Sequence, residues 1–195
     1  MKKIWVKALL VIATLLFLAT PCMAKEKVIK WKVQGFVPAG MLYHDTLVRL
    51  AAAVKKATNG RLVFEVHPAG SLVPPFEGIK AVSDGVYQAN YVYTGQWVGK
   101  IPVAPLFCSI PGGFNPLDMQ MWLNEGGGKE LWQEMYDTYG YKVKVFVSDP
   151  IAMEDFMWAK KPLKTIDDFK WIKMRMMPLM GDVLAKHGMS VIFVP

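Results

Sequence analysis

Cysteine is scarce in this chain of 195 residues, which has two, Cys22 and Cys108. Cys22 lies in an N-terminal segment that we expect to be removed. Its loss leaves Cys108 alone and excludes an intramolecular disulfide from the mature protein. The stretch around Cys108, residues 105–111, is largely apolar. The expected state of this residue is therefore a buried, unreactive thiol rather than a nucleophile.

A long transmembrane run is also missing, although the chain opens with an apolar stretch. Lys2 and Lys3 precede an apolar run over residues 8–19, which is followed by Pro21 and the small residue Ala24. This run is shorter than the ~20 residues that a membrane-spanning helix needs. The layout is that of a secretory signal peptide, and we predict cleavage after Ala24. An uncleaved N-terminal anchor is the alternative.

The mature chain carries no strong charge of one sign. Removing the leader, with its three lysines, lowers the formal net charge from +7 to +4. The remaining lysines are scattered or stand in short pairs, such as Lys55 and Lys56. A nucleic-acid-binding protein would concentrate them in a basic stripe. We therefore expect no nucleic-acid partner.

The recognisable motifs of enzymes are absent. The sequence has neither a Gly-x-Ser-x-Gly elbow nor a phosphate-binding Gly-x-x-x-x-Gly-Lys-Ser/Thr loop. Its three histidines, His44, His67 and His187, are far apart and lack the spacing of metal ligands. The glycines at 126–128 are expected to separate two helices. These absences disfavour an enzyme.

What is present is an alternation of strand and helix patterns. Period-two or apolar stretches predict strands over 28–36, 61–67, 87–93, 141–147, 155–159, 171–176 and 190–194. Helical spacing predicts helices over 42–56, 76–84, 117–123, 129–139 and 180–187. Residues 95–116 have no clear period. The alternation indicates an α/β fold with parallel sheets and crossover helices.

Arg175 is the foremost candidate for ligand binding. It lies near the end of a predicted strand, and ligands of open α/β sheets bind beyond the carboxyl ends of the strands. Its planar guanidinium matches the two oxygens of a carboxylate. The alternative is a structural arginine paired with Asp167, Asp168 or Asp182. The residues themselves leave these two interpretations open.

Two further pairs of residues are candidates. Glu154 and Asp155 offer hard oxygen ligands for a cation, although neighbours in a strand point to opposite faces. Surface acids are the alternative interpretation. Tyr91 and Tyr93 share one face of a predicted strand, close to its carboxyl end. They either pack in the core or line a ligand cleft.

Four motifs together resemble one family. They are the Pro-Ala-Gly-Ser-Leu-Val-Pro loop at 68–74, Gly-Gly-Gly-Lys-Glu-Leu at 126–131, Leu-Lys-Thr-Ile-Asp-Asp-Phe at 163–169 and Ile-Lys-Met-Arg at 172–175. The sequence from residue 25 to 195 resembles the solute receptors of TRAP transporters, the DctP-type periplasmic proteins. It is most similar to the branch that binds 2-oxoacids, lactate and related organic acids.

This resemblance implies an α/β fold of the periplasmic binding protein type, with two lobes and parallel-rich sheets. It implies a signal peptide at 1–24, a first lobe mainly over 25–147 and the start of a second lobe over 148–195. The family normally continues for more than a hundred further residues, so the C-terminal part of the fold is expected to be missing.

The resemblance also implies a site. Arg175 occupies the position of the arginine that holds the substrate carboxylate, and Tyr91 and Tyr93 match a segment that lines the cleft. Trp158 matches a tryptophan of the branch, and Glu154 stands where a glutamine helps to bind a cation. That cation, calcium or sodium, would bridge to the substrate. Phe156-Met157 replaces a glycine pair, which predicts a bulkier pocket.

The expected function is that of a non-enzymatic periplasmic receptor that captures a small 2-oxo- or 2-hydroxy-carboxylate anion and delivers it to the TRAP membrane permease. No essential cofactor is expected, and the full-length form is a candidate homodimer. The alternatives are an extracytoplasmic module that senses a ligand and a periplasmic hydrolase. The hydrolase would need an activated nucleophile or a closed metal site, and neither is visible in the sequence.

Overall fold

The first part of the chain contains a sheet of three parallel strands. The computed structural model describes residues 27–108, 110–151 and 156–192. The strands of this sheet are Ile29–Gln34 (β1), Leu62–His67 (β2) and Ala89–Asn90 (β3), in the order β2-β1-β3. β2 pairs with the whole length of β1, whereas β3 joins only at the carboxyl end of β1. All three strands therefore end at the same edge of the sheet.

Helices connect and flank these strands. They are Leu42–Ala57 (α1), Gly78–Ser83 (α2), Pro116–Glu125 (α3), Gly128–Thr138 (α4) and Pro178–Lys186 (α5). Short 3-10 turns occupy Pro75–Glu77, Thr94–Trp97, Ala104–Phe107 and Ile166–Phe169. α1 is the crossover between the parallel strands β1 and β2, as the alternating pattern predicts.

A second parallel sheet follows near the end of the chain. Its strands are Lys173–Arg175 (β4) and Ser190–Ile192 (β5), and α5 is the connection between them. Gly188 lies just beyond α5 with a φ of 88°, a left-handed conformation that glycine adopts without steric cost. Gly181 allows close packing within this unit, because a Cβ there would lie 2.9 Å from a methyl carbon of Val191.

The residues of the main hydrophobic core come from outside the three strands of the first sheet. The core joins α2, the turns at 94–107, α3 and α4, with Trp97, Ile101 and Ala104 almost fully buried. The ring of Phe107 stacks on Trp122 and Trp132, with centroids 5.8 and 6.0 Å apart. Residues 95–116, where the sequence shows no period, therefore contribute much of this core.

Most of the predicted elements are confirmed, with shifted ends. The glycines at 126–128 separate α3 from α4, and Gly127 has a φ of 83°. Thr165 and Asp168 form a capping box at the turn Ile166–Phe169, in which the Thr165 N–H donates to the Asp168 carboxylate at 2.7 Å. The strand predicted over 87–93 shrinks to Ala89–Asn90. Cys108 is half-buried rather than fully buried.

The prediction of a strand over 141–147 is wrong. Val145 is buried, but its N–H donates to the side-chain oxygen of Gln133 at 3.0 Å. The Gln133 amide in turn donates to the Val143 carbonyl at 2.9 Å. A side chain of α4 thus satisfies backbone groups that a neighbouring strand would otherwise pair. Residues 156–159 form no strand either, and residue 155 lies outside the described residues.

The predicted signal peptide, residues 1–24, lies outside the described residues. Within the part of the chain that the structure does describe, no helix combines the length and the apolar character needed to cross a membrane.

Candidate functional site

Aromatic side chains meet at the carboxyl edge of the first sheet. Phe36 follows β1, Tyr91 follows β3, and Tyr43 lies in the first turn of α1. The ring of Phe36 lies between the two tyrosines, with centroid distances of 5.4 Å to Tyr43 and 5.6 Å to Tyr91. Because parallel strands bring their carboxyl ends together, residues distant in sequence form one aromatic wall here.

Tyr91 is joined to a carboxylate that lies far along the chain. Its hydroxyl oxygen lies 2.7 and 2.8 Å from the two oxygens of Asp149, to which it donates. The Ser148 hydroxyl also donates to Asp149, at 2.8 Å. Burial, and then the hydrogen bond to Asp149, raise the pKa of Tyr91 above its usual range. Tyr91 therefore remains a hydrogen-bond donor at physiological pH.

Gln34, the last residue of β1, holds the loop at 68–74 against this edge. Its side chain is 1% exposed. Its oxygen accepts the N–H groups of Leu72 and Val73 at 2.7 and 3.1 Å, and its amide donates to the Val73 carbonyl at 3.1 Å. Its backbone carbonyl accepts the N–H of Tyr91 at 2.9 Å. Gln34 thus fixes both the loop and the start of the aromatic segment.

Tyr93 lines a small cavity together with residues from the second sheet region. Met177 and Met180 form part of the same wall. Gly95 makes room for the Tyr93 ring, because a Cβ at position 95 would lie 2.6 Å from a carbon of that ring. The structure therefore brings the segment after β3 close to the segment after β4.

Arg175 is the last residue of β4 and is exposed. Two of the aspartates considered as its structural partners have other contacts. Asp167 pairs with Lys170 at 2.6 Å, and Asp168 accepts the N–H groups of Lys164 and Thr165. Arg175 is thus at a strand's carboxyl end, on the surface, and two residues before the cavity-lining Met177.

The other two candidates are less defined by the structure. The side chain of Trp158 is 90% exposed, and its predicted role in the cleft stays a prediction. Glu154 lies outside the described residues. Among the residues that the structure describes, no three His, Cys, Asp or Glu side chains are grouped so that they could hold a metal ion.

Asp149 and Gln34 are the residues at this edge that sequence reasoning missed. The alternation of apolar and polar residues along β1 places Gln34 on the face opposite to Val33, and this pattern predicts that Gln34 faces solvent. In the structure both residues are buried at the end of β1. Asp149 stands in an irregular segment where no period marks it. Its pairing with Tyr91 depends on a contact across 58 residues.

In open α/β folds, ligands bind beyond the carboxyl ends of parallel strands, which is where Tyr91 and Arg175 lie in this chain. Residues 34–195 match the DctP family, described as bacterial extracellular solute-binding protein, family 7. The chain belongs to this family, whose members are substrate-binding receptors and not enzymes.

Individual relatives agree with this assignment. The chain is 28% identical over 167 residues to a monocarboxylate 2-oxoacid-binding periplasmic protein of Nostoc sp., covering 86% of this chain and 45% of the relative. It superposes with a TM-score of 0.71 on a TRAP periplasmic solute-binding protein of Pseudoalteromonas atlantica that holds sodium and pyruvate. That pair is 26% identical, covering 87% of this chain and 51% of the other.

A third similarity concerns the fold alone. A TRAP transporter solute-binding protein of Bordetella bronchiseptica matches with a TM-score of 0.78 at 24% identity, over 87% of this chain and 50% of the other. One of its sites contains calcium and picolinate. The predicted fold class is thus confirmed, and the chain spans about half the length of the relatives that it matches.

Proposed function

We propose that this protein is the solute receptor of a TRAP-type transporter and that it captures a small 2-oxo- or 2-hydroxy-carboxylate. In this proposal the leader at 1–24 directs the chain to the periplasm, and the bound acid is delivered to the membrane permease subunits. Residues 25–147 form mainly one lobe and residues 148–195 belong to the other. The full-length form is a candidate homodimer.

The observation that carries the proposal is the position of Arg175. It ends a parallel strand, it is exposed, and the cavity shared with Tyr93 begins two residues later. A guanidinium there is accessible to a carboxylate, which it would hold through two parallel hydrogen bonds. Tyr91, Tyr93 and Trp158 would exclude water from this ion pair and so strengthen it.

A cation is the second part of the proposal. The Pseudoalteromonas relative binds pyruvate together with sodium, and a protein of Colwellia psychrerythraea, 25% identical to this chain, binds pyruvate together with calcium. In this chain Glu154 would supply an oxygen ligand. Its full negative charge favours a divalent ion such as calcium over sodium.

Isothermal titration with pyruvate, lactate and 2-oxovalerate tests the proposal, using the full polypeptide that the gene encodes. We expect saturable binding of at least one acid. Arg175→Ala should weaken it at least about thirtyfold, because the ligand carboxylate loses its charged partner. Arg175→Lys should restore binding only in part, because an ammonium keeps the charge but not the planar fork.

Arg49→Ala is the matched control, since Arg49 is an exposed arginine of α1 whose side chain donates to Thr46. Binding should be unchanged in this variant. If none of the carboxylates binds saturably, or if Arg175→Ala binds as tightly as the wild type, the proposed function is wrong.

A further inference from the structure

Trp171 is an exposed tryptophan in an unfavourable backbone conformation. Its side chain is 89% exposed, and its φ is 72°, in the left-handed region that glycine adopts without steric cost. Bulky residues rarely take this conformation, because their Cβ comes too close to the following carbonyl oxygen. An indole that lies in water adds little packing energy to offset this cost. Folding alone would favour glycine at position 171, so the indole indicates a role outside the fold.

Trp171 lies at the amino edge of the second sheet, on the side away from Arg175. It stands two residues before β4, and its N–H donates to the Gly188 carbonyl, two residues before β5, at 3.2 Å. Because β4 and β5 are parallel, α5 returns the chain to this edge, where the helix ends at Lys186. Arg175 ends β4 at the opposite edge. The surface around Trp171 is therefore separate from the candidate ligand site.

Lysine side chains lie along the same edge. Those that flank Trp171 in the sequence or end the neighbouring helix are all exposed, and they are Lys170, Lys173 and Lys186. The turn before Trp171 carries two acids. Asp167 pairs with Lys170 at 2.6 Å, and Asp168 is engaged in capping the turn. The edge thus combines an exposed indole with an excess of positive charge.

The net charge of the mature chain is concentrated in this part of the molecule. Residues 156–192 contain seven lysines and arginines and three aspartates, which gives a net charge of +4. Residues 25–155 contain thirteen basic and thirteen acidic residues and are neutral as a whole. An anionic surface within about 10 Å at 0.1 M salt would therefore attract the region of the second sheet and not the rest of the chain.

We propose that this amino edge, with Trp171 and its lysines, binds the surface of a bilayer that carries anionic lipids. An indole is amphipathic and is stabilised at the level of the lipid headgroups, where its ring is buried and its N–H stays hydrated. Each lysine held close to an anionic surface increases the affinity about fivefold. The proposal goes beyond the receptor function, because it requires no bound acid.

Sedimentation with lipid vesicles tests the proposal, using the full encoded polypeptide from residue 25 onward. We expect binding to vesicles of equal parts phosphatidylglycerol and phosphatidylcholine, and at least about tenfold weaker binding to phosphatidylcholine alone. Raising the NaCl concentration from about 0.05 M to about 0.5 M should release most of the protein, because salt screens exposed charges. Equal binding to both kinds of vesicle, or binding to neither, would overturn the proposal.

Trp171→Gly separates membrane binding from folding. Since glycine suits the observed φ, this variant should unfold at a urea concentration no lower than that of the wild type. Its affinity for the anionic vesicles should nevertheless fall at least about fivefold. Phe146→Ala is the control, because it removes a ring that is 76% exposed but belongs to the neutral part of the chain. If Trp171→Gly is clearly destabilised, or binds the vesicles as tightly as the wild type, the proposal is wrong.

A pair of lysine substitutions tests the charge. Lys173→Gln combined with Lys186→Gln should weaken binding to the anionic vesicles at least about tenfold. Lys55→Gln combined with Lys56→Gln removes the same charge from the exposed end of α1 and should change the affinity much less. Equal losses from the two pairs would show that total charge, and not this edge, governs binding.

Two further measurements exclude other occupants of the edge. If another segment of the encoded polypeptide covers Trp171, acrylamide will quench the wild type no more strongly than Trp171→Phe. If a second copy covers it, the wild type will sediment as a dimer and Trp171→Gly as a monomer. Either result overturns the proposal. Carboxylate titrations of Trp171→Gly should match the wild type, so that the failure of this proposal and that of the receptor function can be told apart.

Discussion

The hydroxyl oxygen of Tyr91 lies 2.7 and 2.8 Å from the two carboxylate oxygens of Asp149, which follows it by 58 residues. This contact ties the carboxyl edge of the first sheet to the irregular segment that leads toward β4. The same segment is attached to α3, because the side-chain amide of Gln120 donates to the Ser148 carbonyl at 3.3 Å. Residues 148 and 149 are therefore attached both to the edge of the first sheet and to α3.

A double-mutant cycle measures the strength of this contact. Tyr91→Phe removes the donor but keeps the ring that packs on Phe36, and Asp149→Ala removes the acceptor. We expect a coupling free energy of about 1.5 kcal/mol in urea unfolding, at the lower end of the range for a hydrogen bond to a charged group, because Asp149 is only half-buried. If the two single effects simply add, the hydrogen bond does not stabilise the fold.

Gln34 offers a second test, on the loop at 68–74. Gln34→Leu leaves two N–H groups and one carbonyl of Leu72 and Val73 without the buried side-chain partner that they have now. We expect a loss of about 3 kcal/mol in the free energy of unfolding, since each unsatisfied group costs roughly 1–3 kcal/mol when buried. Hydrogen exchange should show that the amide protons of Leu72 and Val73 lose protection.

Gln88→Leu is the matched control for this variant. The side-chain oxygen of Gln88 also accepts a backbone N–H, that of Lys32 at 2.9 Å, but Gln88 is exposed. Water can replace the lost acceptor there, so the expected cost is below about 1 kcal/mol. Equal destabilisation by the two substitutions would show that burial does not govern the contribution of Gln34.

The elements of this fold that are stabilised locally could be predicted from sequence. α1 combines apolar spacing with a terminal Asn59-Gly60, and Thr165 stands three residues before the Asp168 that caps with it. These signals lie within a few residues of the structure that they specify. The parallel pairing of β1 with β2 follows from the helix pattern between them.

Elements that depend on distant partners could not be predicted in this way. Residues 141–147 alternate like a strand, but whether they pair depends on Gln133, whose side chain occupies backbone groups of Val143 and Val145. The residues of the candidate site also fall into a predictable and an unpredictable group. A strand end marks Arg175 and Tyr91, whereas Asp149 and the two walls of the cavity are identified by contacts across long loops.

Tyr87 is a buried tyrosine that is only 2% exposed. Burial raises the pKa of Tyr87 to about 12, from an ordinary value near 10. Its hydroxyl donates toward the side-chain oxygen of Asn90 at 3.2 Å, so the protonated form fits the folded state. Between these two pKa values the folded protein binds more protons than the unfolded chain. Tyr87 therefore stabilises the fold below about pH 10 and loses this contribution as the pH rises toward 12.

Urea unfolding of the wild type and Tyr87→Phe at pH 8 and pH 11 tests this argument. Phenylalanine has no proton to lose, so the difference in stability between the two proteins isolates the titration of Tyr87. Relative to Tyr87→Phe, the wild type should lose about 1 kcal/mol between the two pH values, since a shift of one pKa unit corresponds to 1.36 kcal/mol. A difference that is the same at both pH values would mean that the hydroxyl ionises equally easily in the folded and unfolded states. In that case, burial beside Gly78 and Asn90 would not control its proton affinity.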